Sequence, residues 1–141
     1  MNKPFFFIFS FLITFMMSSC SSDDTTAVVE PETAKYVIGT YALSSISTTS
    51  GTAVSGVTGS VVVTQNTSST VTIKSALVFK TGTSTSNSTV TLDYTIVKNG
   101  SNYDVLDAAK AKVGTVIGSQ LTLAVTNFSS GVSYNGIFTK Q

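Results

Sequence analysis

The stretch Thr70-Val71-Thr72-Ile73-Lys74-Ser75-Ala76-Leu77-Val78-Phe79-Lys80 decides the fold class. Val71, Ile73, Ser75, Leu77 and Phe79 fall on one side of an extended chain and are mostly apolar. Thr70, Thr72, Lys74, Ala76 and Lys80 fall on the other, with Val78 the exception. A helix repeats its faces every 3.6 residues and would scatter this pattern; a strand repeats every two and sorts it. The segment therefore reads as a strand with one face on a core and one in water. Its Val, Ile and Thr suit the pleated surface.

The same rhythm extends in both directions. Val90, Leu92, Tyr94 and Ile96 alternate with Thr89, Thr91, Asp93 and Thr95, and Leu121, Leu123 and Val125 alternate with Thr122, Ala124 and Thr126. Turn signals part these runs. Asn66-Thr67-Ser68-Ser69 lies before Thr70, and Ser129-Ser130-Gly131 lies before Val132–Lys140. Asn99-Gly100 is the strongest hairpin signal, because both residues tolerate positive φ. Thr81 to Ser88 reads as a long polar loop, and Asp107 to Val113 as at most one helical turn. The expectation is an all-β domain of seven or eight antiparallel strands in a meander, closed as a small barrel or stacked as a two-sheet sandwich.

Gly39-Thr40-Tyr41, followed by Ala42-Leu43, lies on the first strand. It resembles the Gly-x-Trp that opens the barrel of lipocalins and of small lipocalin-like domains in bacterial surface lipoproteins. The resemblance favours the barrel. It implies that a basic residue on the last strand, here Lys140, packs over the Tyr41 ring and closes the barrel base together with Gly39. It also implies an interior able to take a small apolar or amphipathic ligand, with Leu43, Ile73, Leu77, Phe79, Leu92, Tyr94, Leu123 and Phe138 as candidate lining. An eight-stranded barrel is just wide enough to be filled by its own side chains or to hold one small molecule, and both readings stay open.

The N-terminus carries a different kind of information. Phe5 to Met17 is apolar apart from Ser10 and Thr14, and Lys3 precedes it. The run is too short to span a bilayer, which takes about 20 residues, but it suits the apolar region of a signal peptide. Met17-Ser18-Ser19-Cys20 resembles a bacterial lipobox, in which the cysteine thiol is diacylglycerylated and the chain is cut before it. Cys20 is the one cysteine of the chain, so no disulfide can form within it. Ser21-Ser22-Asp23-Asp24 resembles the acidic signal that sends such lipoproteins to the outer face of the outer membrane. Asp24-Thr25-Thr26 resembles an O-glycosylation sequon of the same bacteria. The expected organisation is a signal peptide over residues 1–19, a lipidated acidic tether over 20–35 and the barrel over 36–141. The protein would sit in the outer membrane through its lipid, facing the exterior or, alternatively, the periplasm.

Composition excludes several classes of chemistry. The chain has no His, and its positive side chains are all Lys. No His-containing triad or ordinary zinc site can be built, and with Lys3 set aside the Lys and acidic residues balance at seven each. No basic patch for nucleic acid results. Within residues 36–141 the carboxylates are Asp93, Asp104 and Asp107. Asp93 reads as a solvated surface charge, and Asp104 and Asp107 as turn-forming residues that with Asn102 could offer oxygen ligands to calcium. No cofactor, metal or catalytic residue is expected. Ser and Thr make up roughly a third of the chain after Cys20, above ordinary usage. A structural or adhesive module, contacting protein or glycan through Ser/Thr-rich loops such as Thr81 to Ser86, is therefore the alternative function.

Overall fold

The computed structural model describes residues 32–127 and 131–141. Eight strands run in chain order: β1 (Gly39–Thr48), β2 (Val57–Gln65), β3 (Thr70–Thr81), β4 (Ser84–Asn99), β5 (Asn102–Leu106), β6 (Lys112–Ile117), β7 (Gln120–Asn127) and β8 (Val132–Lys140). Each pairs antiparallel with the next, and β8 returns to β1 through Tyr41–Lys140 and Leu43–Phe138, so the sheet closes into a barrel. That closure sets the sandwich aside. Cys20, the acidic Ser21–Asp24 stretch, Thr25 and the whole expected leader lie outside the described residues.

Three hairpins turn in two residues, with Gly82, Gly100 and Gly118 in first position at φ near +60°. A glycine at that position is what a type II′ turn requires, and its twist matches the flanking strands. Asn99 is not part of the positive-φ pair expected of Asn-Gly; it ends β4 opposite Asn102. The long loop expected over Thr81 to Ser88 is instead strand. Thr81 pairs with Ser84, and the ladder continues through Phe79–Ser86 and Leu77–Ser88. Ser86 and Ser88 occupy inward positions, so the alternation is present but both faces are polar and the sequence pattern is blank. Asp107 to Ala111 is likewise no helical turn. The Asp107 N–H donates to the Ala111 carbonyl at 2.9 Å, the Ala111 N–H donates to Asp107 Oδ1 at 2.8 Å, and Lys110 takes φ +64°. This is a three-residue hairpin loop with a left-handed last residue.

One end of the barrel is sealed. Thr33 and Ala34, within the span expected to be tether, are buried, and packing begins at Thr33 rather than at Tyr36. The Thr33 hydroxyl donates to the Ile96 carbonyl at 2.9 Å and the Ala34 N–H to the Ser68 carbonyl at 2.9 Å. The segment can plug the barrel because small residues carry it inward while its polar groups find backbone partners. Beneath it Tyr41, Val61, Val105, Leu121 and Phe138 are fully buried.

Candidate functional site: a cavity with a lateral opening

Strand lengths decide where the barrel is hollow. β4 runs 16 residues but β5 only 5 and β6 only 6. β5 pairs with β4 no further than Thr95–Leu106, and β6 with β7 no further than Gly114–Leu123. Past the Asp107–Ala111 loop, the β4 edge from Ser84 to Tyr94 has, among the described residues, a partner only in β3. Among the described residues, the β7 edge from Ala124 to Asn127 has one only in β8. Two missing strands leave these edges roughly 14 Å apart along the sheet, three strand spacings of about 4.8 Å.

A cavity of about 460 Å³ lies behind this window. Ile73, Val90, Leu92, Leu123 and Val125 form its apolar wall, with Ser75 and Tyr94 beside them. Asp93, Ala124 and Thr126 also border it, although their side chains belong to the outer face. Residues of both faces can meet one cavity only where it opens between strands, so access is through the barrel side. A smaller cavity at the unsealed end is lined by Val54, Val57, Phe79 and Tyr134.

The eight positions expected to line a cavity divide. Ile73, Leu92, Tyr94 and Leu123 border the main one, and Phe79 borders the smaller one, its ring 5.4 Å from that of Tyr134. Leu77 and Phe138 border neither; they are buried in the packed interior, and Leu43 is half-buried against it. Phe138 is held there by Gly136, where a Cβ would come within 2.5 Å of the ring. Leu92 faces inward yet is 49% exposed, because no strand covers its edge. Ser75, Val90, Asp107 and Val125 were absent from the expected lining. Ser75 carried a visible signal: it is the one polar side chain on the apolar face of Thr70–Lys80.

Gly39, Tyr41 and Lys140 do come together at the sealed end. Tyr41 pairs with Lys140 across β1 and β8, and Lys140 Nζ stands 5.8 Å from the Tyr41 ring centroid. A Cβ on Gly39 would lie 2.8 Å from Lys140 Cε, so the glycine makes room for the lysine to cross. The Tyr41 hydroxyl donates to the Val37 carbonyl at 2.7 Å. Burial pushes the Tyr41 phenol above its ordinary pKa.

The carboxylates do not converge on a metal or a reacting bond. Asp104 faces outward with Lys112 Nζ 2.7 Å from Oδ1, and the Asn99 amide donates to Oδ2 at 3.0 Å. The Lys112 ammonium beside it and the Asn99 hydrogen bond hold its pKa below the usual carboxylate range. Asp93 accepts hydrogen bonds from Thr72 and Asn66 on the outer face. Asp107 closes its own loop. No group of three metal-ligating His, Cys, Asp or Glu occurs among the described residues.

No protein-family model and no curated protein matches the chain. Among solved structures it is similar to the redesigned β-barrel b11L5F_LGL, 17% identical over 79% of this chain and 96% of that one, with a TM-score of 0.50. It is also similar to the redesigned β-barrel mFAP1, bound to DFHBI, 17% identical over 77% and 99%, with a TM-score of 0.44. At such identity the first likeness establishes the small antiparallel barrel and nothing about a ligand.

Proposed function

We propose that this protein is a non-catalytic binding protein that takes one small, largely apolar molecule into the side of its barrel, and that it is tied to the outer membrane through lipid on Cys20. The observation that carries the binding reading is the cavity of about 460 Å³ with its window between β4 and β7. Its size falls within the range of small-molecule sites, and its apolar wall with a few polar groups is the usual composition of such sites. The anchor rests on the Met17-Ser18-Ser19-Cys20 motif and the apolar run before it. Two or more acyl chains on Cys20 would hold the protein stably, where one would not. Because Glu32 enters at the sealed end, the window would stand to the side of the tether and clear of the head groups.

The test uses the chain from Cys20 to Gln141 carrying Cys20→Ser, in detergent-free buffer, titrated with the neutral fluorophore N-phenyl-1-naphthylamine. Saturable binding is expected. Val90→Trp should fill the cavity and weaken that binding at least tenfold, with thermal stability held. Absence of saturable binding, or equal binding by Val90→Trp, would sink the reading. For the anchor, the full-length Cys20→Ser protein should leave the membrane fraction, and protease added to intact cells should degrade the wild-type protein.

A further inference from the structure

Two polar features of the main cavity have no use for a purely apolar ligand. Ser75 lies on its inner wall, 7% exposed, and its hydroxyl makes no hydrogen bond among the described residues. The hydroxyl is not sealed away but opens onto the cavity, where a polar group of a ligand can reach it. Asp107 stands at the sill of the window. Its Oδ1 accepts the Ala111 N–H at 2.8 Å, and its other oxygen has no partner among the described residues.

The charges around the sill leave Asp107 uncompensated. Lys110 Nζ donates to Thr95 Oγ1 at 3.2 Å on the outer face, and Lys112 is held by Asp104. Among the described residues, no lysine lines the cavity. Tyr94 borders the same space, and its phenol is pushed above its ordinary pKa by burial and then by the Asp107 charge, so it stays a neutral donor. Ser75 pairs with Val90, whereas Asp107 follows Leu106, which pairs with Thr95. Asp107 is thus level with Tyr94, and the two polar groups are roughly 13 Å apart along β4, four residues of about 3.3 Å. Apolar wall fills the distance between them.

We infer that the cavity takes an elongated amphipathic amine, with its ammonium at Asp107, its apolar chain between Leu92 and Leu123, and a hydrogen-bonding group at Ser75. This rests on the ligand-binding reading above and adds the chemical class of the ligand. The ion pair forms at a partly desolvated sill, where opposite charges attract more strongly than in bulk water. A carboxylate on the same chain would meet Asp107 as a like charge and be rejected.

The experiment compares decylamine, decan-1-ol, decanoate and 10-aminodecan-1-ol as competitors of N-phenyl-1-naphthylamine on the same unlipidated chain at neutral pH. Decylamine should compete at least tenfold better than decanoate, and 10-aminodecan-1-ol better still. Asp107→Asn keeps a carbonyl oxygen for the Ala111 N–H, and it should bring amine and carboxylate to the same affinity. Ser75→Ala should erase the advantage of 10-aminodecan-1-ol over decylamine. Equal competition by decylamine and decanoate, or a preference for amine that survives Asp107→Asn, would overturn the inference while leaving the cavity a binding site. Failure of every alkyl compound to compete would overturn the ligand-binding reading itself.

Discussion

Replacing Ser75 by Val should make the empty protein more stable. The side chain sits on the inward face of β3, 7% exposed, between Ile73 and Leu77. Its hydroxyl has no protein partner among the described residues and faces only the cavity, so the cost of an unpaired buried polar group, about 1–3 kcal/mol when burial is complete, applies in part. Here the group borders a cavity, so only the lower part of that range applies. Valine removes the unpaired oxygen and adds methyl groups toward the void, each worth at most about 0.8 kcal/mol and less on the open side. A net gain of about 1.5 kcal/mol follows. For a barrel of this size it corresponds to a rise in thermal midpoint of roughly 6–12 °C, at about 4–8 °C per kcal/mol. Urea unfolding followed by tyrosine fluorescence suits a chain with five Tyr and no Trp. A midpoint that falls or does not move would refute the reasoning, since it would mean that the hydroxyl is already satisfied or the space already filled. The same variant should bind 10-aminodecan-1-ol more weakly, setting stability against binding at one residue.

Other substitutions probe the frame. Gly59→Ala should cost about 3 kcal/mol or more, because φ is +149° and the new Cβ would meet the Ala76 carbonyl oxygen at 2.1 Å; Gly51→Ala, with open space and φ +88°, should cost only about 1–2 kcal/mol by the same denaturation assay. Lys110→Gly should stabilise by about 0.5–1 kcal/mol, since a left-handed lysine with φ +64° is relieved while its exposed hydrogen bond to Thr95 contributes little. Asp104→Asn should cost about 0.5–1 kcal/mol at neutral pH, as Lys112 is half exposed. The folded pKa of Asp104 is depressed, so its contribution is full above the ordinary carboxylate pKa and is lost as pH falls through the folded value. The gap between wild type and Asp104→Asn should therefore begin to narrow as pH falls past the ordinary carboxylate value of about 4 and close only further down, and a gap that does not narrow with acid would count against the ion pair.

The barrel was legible wherever alternation came with a difference in polarity. β3, the lower half of β4 and β7 could be read residue by residue, because Ile73, Tyr94 and Leu123 stand among Thr and Lys. The upper half of β4 could not. Ser84 to Ser88 alternates Ser with Thr and Asn, so its inward Ser86 and Ser88 look like their outward neighbours. Asp107-Ala108-Ala109-Lys110 suggested a helical turn because alanine favours helix, whereas the carboxylate of Asp107 reaching the Ala111 N–H made a hairpin loop of it. The window was hidden for a different reason. It follows from register: which residues of β4 lack a partner depends on where β5 ends, and that pairing is not local. Asp107 therefore gave no sign of lying beside Tyr94.

Residue size, more than strand number, decides that the barrel is hollow at one level and solid at another. Near the sealed end the inward positions carry Tyr41, Val61, Val71, Ile96, Val105, Leu121 and Phe138, none more than 2% exposed. At the level of the cavity the inward positions of β3, β4 and β6 include Ser75, Val90 and Gly114. An eight-stranded barrel lies at the threshold where side chains just fill it, so a few small residues suffice to leave room for a ligand. Gly114 could not be enlarged in any case, because a Cβ there would stand 2.5 Å from the Thr122 carbonyl oxygen. Ser75 is under no such constraint; a valine would suit the strand better and fill part of the void. That a hydroxyl stands there instead, on the cavity wall, is accounted for by the proposed binding function and not by fold stability.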